Sequence, residues 1–128
     1  MNKNQLKAST IIGHNILNDQ GKQIGTIKDL IIFQKDGTVL ALISSGFNFG
    51  ESKKYHVVPL AAFGFALQEK TMKDELIITL DISKNELKNA PGFDTDNWKQ
   101  ALDSKFVQSV YDFFELENPQ LSSSQNRI

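Results

Sequence analysis

Residues 12–60 read IGHNILNDQGKQIGTIKDLIIFQKDGTVLALISSGFNFGESKKYHVVPL, and the punctuation of this stretch decides the fold. Four short runs rich in branched and aromatic residues are separated by turn residues, the pattern of successive β-strands. The first run covers 14–18, and Asn18-Asp19-Gln20-Gly21 turns it, with Gly21 able to take a positive φ. The second and longest covers 24–33. Asp36-Gly37 then marks a hairpin, because a tight turn wants a positive φ that glycine adopts without steric cost. The third run covers 38–44 and the fourth 55–58. Pro59 closes the fourth, having no N–H to donate to a ladder.

Both faces of these strands are apolar. One face of the second run carries Ile24, Thr26, Leu30 and Ile32; the other carries Ile27, Ile31 and Phe33, with Asp29 among them. In the third, Val39, Ala41 and Ile43 oppose Leu40 and Leu42. A sheet wet on one side alternates more cleanly, so these strands need cover outside as well as inside. A small closed barrel with further elements packed on it meets that need. Two more runs, 65–68 and 75–80, flank residues 71–74 and bring the expected total to about six strands.

The texture changes after Asp81. Ser83, with Glu86 three residues on, forms a capping box for a short helix to Leu87, and Pro91-Gly92 stops it. Asp94-Thr95-Asp96-Asn97 opens a second helical region that runs to about Leu116 and ends before Pro119. Its apolar stripe (Leu102, Phe106, Val107, Val110, Tyr111, Phe113, Phe114) is wider than one line of contact requires. Burying such side chains is worth roughly 1.5–3 kcal/mol apiece. A small domain with a net stability of about 5–15 kcal/mol does not leave that sum in water. Part of the stripe is expected to cover the barrel. The rest, with Phe106, Val110, Phe113 and Phe114 as candidate contacts, is expected to meet a second copy of the chain.

Bulk properties set the outer limits. The 128 residues suit one domain, and 40% hydrophobic with 23% charged content is ordinary for a globular protein. A net charge of -1 and a pI of about 6.1 lack the basic excess of a nucleic-acid binder. There are no cysteines, which excludes disulfides, thiolate catalysis and zinc–thiolate sites. MNKNQLKASTII lacks the apolar core of a signal peptide, and no apolar run approaches the roughly 18 residues that span a bilayer. The expectation is a soluble, cytoplasmic protein without membrane contact.

On these residues the chain resembles the PRC-barrel domain. LKASTIIGHNILNDQGKQIGTIKDLIIFQKDGTVLALISS, followed by YHVVPLAAF, carries the likeness, with Gly13, Gly21, Gly25, Asp29, Gly37 and Val58-Pro59 as the matching positions. ITLDISKNELKNAPGFDTDNW looks like the segment that follows the barrel in stand-alone bacterial members. The same small barrel occurs in the H subunit of the purple-bacterial photosynthetic reaction centre and in a maturation factor for the small ribosomal subunit. The resemblance implies a scaffold for partner or ligand contact rather than a fixed chemistry. The H subunit has a transmembrane helix ahead of its barrel, and the maturation factor an additional β domain. Neither is expected here, and no catalytic or proton-uptake residue carries over.

Candidate sites are few. His14 and His56 sit in predicted strands, and no third ligand stands at metal spacing beside either, so both read as ordinary strand histidines. Asp29 among apolar neighbours is either a carboxylate of shifted pKa or, as the plainer reading, an acceptor at a strand bend or a residue turned outward by a bulge. Asp94, Asp96 and Asn97 start like a calcium loop, but Trp98 stands where a third oxygen ligand would fall, and helix capping accounts for them. Phe47 and Phe49, in the Gly46–Gly50 loop, are either an exposed anchor for a partner or rings folded over the barrel mouth.

The sequence therefore predicts a mainly β protein: a PRC-type barrel over 6–82, a helical extension packed on it over 83–118, and disordered tails at 1–5 and 119–128. Its expected role is a non-enzymatic binding or scaffold module in protein–protein contact as a homodimer, with a protein partner of unknown identity. No cofactor, metal or catalytic residue is expected. An accessory role in RNA or ribosome assembly is the alternative, against which the acidic pI counts.

Overall fold

The computed structural model describes residues 5–45, 54–68 and 75–120. A short helix α1 (Ala8–Ile11) leads into β1 (Asn15–Leu17), β2 (Gln23–Ile32), β3 (Val39–Ser44) and β4 (Lys54–Pro59). After a 3₁₀ turn over Leu60–Ala62 come β5 (Gly64–Gln68), β6 (Glu75–Thr79), the helix α2 (Lys84–Lys88) and β7 (Gly92–Asp94). A second 3₁₀ segment, Trp98–Leu102, precedes α3 (Ser104–Phe113).

The strands form one seven-stranded sheet in the order β5-β6-β1-β2-β3-β4-β7. Six of the predicted strands are present, and β7 is an addition. Most neighbours are antiparallel, but β1 and β6 run parallel, joined at Leu17 and Thr79. β5 and β7 end the sheet, and no ladder joins them among the described residues, so the expected closed barrel is corrected to a sheet that is not closed. The sheet nevertheless curls. Ile78 of β6 and Val58 of β4 share one buried cluster although three strands lie between them, a separation of about 19 Å in a flat sheet.

β2 owes its course to two irregularities. Ile24 is passed over where Ile16 pairs with Gly25 and Leu17 with Gln23, and Lys28 is passed over between the Ile27–Ile43 and Asp29–Leu42 pairs. Each bulge shifts the strand's alternation by one residue. Ile24 and Ile27 are thereby both buried on the inner cluster, with Leu30 packed against it. The expected face of Ile24, Thr26, Leu30 and Ile32 is thus corrected: Ile32 is 62% exposed. Gly25 is required where it stands, because a Cβ there would lie 2.8 Å from the Ser44 carbonyl oxygen and 3.0 Å from Ile43 Cγ2.

Two layers cover the sheet. The inner one gathers Ile16, Ile24, Ile27, Ala41, Ile43, Val58, Ile78 and Leu87. The outer one sets Leu40, Leu42 and Val57 against Phe93, Ala101, Val107, Val110 and Tyr111. Alternation in β3 and β4 thus sends consecutive residues into two different cores, as the two-sided pattern requires.

The predicted helix over 94–116 is corrected to a strand, a 3₁₀ segment and a shorter helix. β7 forms because Gly92 lets the chain press on the Tyr55 carbonyl, where any side chain would collide, and the Pro91 carbonyl accepts from Val57 N–H at 2.9 Å. Phe93 is then buried between Tyr55 and Phe106, with ring centroids 6.5 and 6.0 Å away. α3 starts at Asp103, whose carboxylate accepts from Lys105 N–H at 2.9 Å. α2 carries the predicted capping box, Glu86 N–H donating to Ser83 Oγ and Ser83 N–H to Glu86 Oε1.

Candidate functional site

The predicted polar candidates resolve into structural parts. Asp29 faces solvent next to the Lys28 bulge and accepts the N–H of Leu30 at 2.8 Å. It fastens the strand irregularity. Asp94 ends β7, and Asn97 N–H donates to its carbonyl at 2.8 Å in the turn leading to the 3₁₀ segment. His14 lies near the surface with Nδ1 2.9 Å from the Asn15 carbonyl. His56 is only 5% exposed, and its Nδ1 donates to the Ala90 carbonyl at 3.0 Å. Burial pulls the His56 pKa below 6.5, and nearby Lys54 acts in the same direction, while the Ala90 bond opposes them. His56 is thus a neutral cross-link between β4 and the chain after α2. Among the described residues no three histidines or carboxylates gather as a metal site.

The predicted contact residues of α3 differ in exposure. Val110 is fully buried against the sheet of its own chain. Phe106 is half-buried beside Phe93. Phe113 and Phe114, stacked edge to face at 5.0 Å, are half-buried and line a cleft of about 310 Å³ with Asp81, Glu86 and Glu115. Phe47 and Phe49 lie outside the described residues.

Two surface features were not legible in the sequence. The first is β5. It pairs only with β6 among the described residues, and all five of its residues are exposed, including Phe65 and Leu67. Phe65 leans on Phe63 and borders an apolar groove of about 500 Å³ with Leu60, Val39, Leu116 and Pro119. Tyr111 also lines this groove; burial raises its pKa, and the charge of Asp36 adds to the effect. The alternation of Phe65 and Leu67 marked a strand, but its place at the sheet end follows from the parallel β1–β6 pairing, which no local pattern announces. The second is a polar cavity of about 570 Å³ between the β1–β2 turn and α2, lined by Asn18, Lys22 and Lys88 among others.

Comparison with protein families matches residues 3–84 to the PRC-barrel domain, covering α1 through β6 and the start of α2. The chain belongs to the PRC-barrel domain family. Comparisons with curated proteins and with solved structures gave no match. PRC-barrel domains are in general non-catalytic scaffolds, and the matched region accounts for most of the inner core and six of the seven strands. β7 and α3, which close the outer layer, follow the matched PRC-barrel region. No helix among the described residues is long and apolar enough to cross a membrane.

Proposed function

We propose that this PRC-barrel protein is a non-enzymatic binding and scaffold module that acts as a homodimer and contacts a further protein. The observation that carries the reading is β5, an edge strand with no bulge, proline or charged residue in Gly64–Gln68. Natural sheets usually guard such an edge, because its outward N–H and C=O groups invite another strand. β7, the opposite edge, is guarded: it is three residues long, follows Pro91 and ends in Asp94. Two β5 strands brought together antiparallel about a two-fold axis meet no like charges, and each supplies the hydrogen-bonding groups the other lacks. Phe65 and Leu67 then extend one apolar surface across both copies. Phe113 and Phe114 remain available to the further partner.

Light scattering on the wild type and on Leu67→Lys tests this. The expected result is a dimer for the wild type and a monomer with an unchanged circular dichroism spectrum for Leu67→Lys. A variant that keeps the dimer mass removes β5 from the interface, and a monomeric wild type removes the homodimer. Phe113→Ser should leave the dimer intact while weakening capture of the further protein.

A further inference from the structure

The polar cavity beside the β1–β2 turn lies at the opposite end of β2 from the hairpin that borders the apolar groove. Its lining is one-sided in charge. Lys22, Lys84 and Lys88 contribute cations, Asn18, Gln20, Gln23, Ser83 and Asn85 contribute neutral polar groups, and Ile24 is its apolar member. No carboxylate lines it. Glu86, whose carboxylate accepts from Ser83 N–H at 3.2 Å, lines the separate cleft beside Phe113 and Phe114.

Asn18 gives this cavity direction. Its Oδ1 accepts from the N–H groups of Gln20 at 2.9 Å and Lys22 at 3.0 Å, so the amide can be placed in one orientation only. The Nδ2 group is then left with two donor hydrogens and no protein acceptor among the described residues, on a side chain that is 8% exposed. No fully buried side-chain nitrogen or oxygen lacks a partner among the described residues, so this Nδ2 opens on the cavity, where water or a ligand can meet it. The turn that fixes Asn18 also fixes the backbone of Lys22, so the donor and the base of the lysine side chain are held together before any ligand arrives.

We propose that this cavity is a binding site for a small ligand carrying an oxyanion, a phosphate or a carboxylate, with Asn18 Nδ2 donating to it and Lys22 supplying the nearest charge on the turn. Lys84 and Lys88 stand on the α2 side of the same lining. A negatively charged, multi-oxygen group matches every feature of the lining: donors, cations and the absence of acids. The site is independent of β5 and of the dimer.

The test is NMR titration of the intact ¹⁵N-labelled protein with inorganic phosphate, succinate and sodium chloride at matched ionic strength. The Asn18 side-chain amide pair and the Lys22 backbone amide are the signals to follow. Saturable shifts with phosphate or with succinate are expected, and whichever saturates names the oxyanion; chloride should give only a small linear drift. Asn18→Asp keeps the acceptor that builds the turn but replaces the donors with a carboxylate, and should weaken binding at least tenfold with an otherwise unchanged spectrum. Lys22→Gln should weaken it severalfold while leaving the turn in place. Linear drift with all three salts overturns the proposal, as does unchanged affinity in both variants.

Discussion

Gln120 donates its side-chain amide to both carboxylate oxygens of Asp36, at 3.1 and 3.0 Å, across 84 positions of sequence. The bond ties the end of the described chain to the tip of the β2–β3 hairpin. Behind it stands Asn118, buried, whose Nδ2 donates to Gln108 Oε1 at 3.0 Å while its Oδ1 accepts Gln120 N–H at 2.9 Å. Gln108 in turn donates to Asp112 on α3 at 2.8 Å. The segment after α3 is thus laced to the helix and to the hairpin by side chains that the outer layer leaves at its rim.

The two ends of this lacing should differ in weight. Asp36 is fully exposed, so water replaces Gln120 readily, and Gln120→Ala should be close to neutral in urea denaturation. Asn118→Ala removes a buried hydrogen-bonding side chain and should cost about 1–2 kcal/mol. Equal effects of the two substitutions would show that burial does not rank them.

Gly25→Ala should destabilise the protein by about 1–3 kcal/mol, because the added methyl meets the backbone carbonyl of Ser44, which cannot swing aside without opening the β2–β3 ladder. Gly64→Ala meets instead the Thr79 hydroxyl, the end of a side chain, on an exposed edge, and should cost less. Thermal melting of both variants ranks them.

Glu115 holds a φ of 55°, left-handed backbone that a side chain disfavours, where α3 ends and Leu116 N–H returns to the Tyr111 carbonyl at 2.9 Å. Glu115→Gly relieves that strain and should raise stability by up to about 1 kcal/mol. Glu115→Val should lower it. A melting temperature unchanged in both would mean that the left-handed turn carries no strain.

His56 makes stability depend on pH. Its folded pKa lies below 6.5, the value from which burial displaces it, so between the two values the unfolded chain binds the extra proton. Stability therefore holds above pH 6.5 and declines as pH falls from there to the folded pKa. His56→Gln retains a donor for the Ala90 carbonyl without titrating. Urea midpoints at pH 7.5 and 5.5 should fall less for the variant than for the wild type; parallel losses would exclude His56 as the source.

Local pattern went far in this chain. Asp36-Gly37, Asn18 to Gly21, Pro59 and the Ser83–Glu86 box act through the backbone of their immediate neighbours, so their structural consequences could be read in place. The apolarity of Leu40 to Ile43 required a second layer, and the stripe on α3 supplied it. The bulges in β2 were hidden because a bulge is defined by the partner strand, and β7 because its reason for being a strand is the backbone of Tyr55, 37 residues earlier.

The sequence by itself determined the places of six strands and the cap of α2, that the sheet is apolar on both faces, and its kinship with the PRC-barrel domain. Those properties are carried by side-chain alternation and turn chemistry within a few residues. Only the tertiary structure decided that β5 ends the sheet, that Val110 is spent on its own core, and that Asn18 lines a cavity with three lysines. Each of these depends on which distant segments meet. That is settled by the parallel β1–β6 pairing and by the packing of α3, interactions that no single stretch of the chain contains.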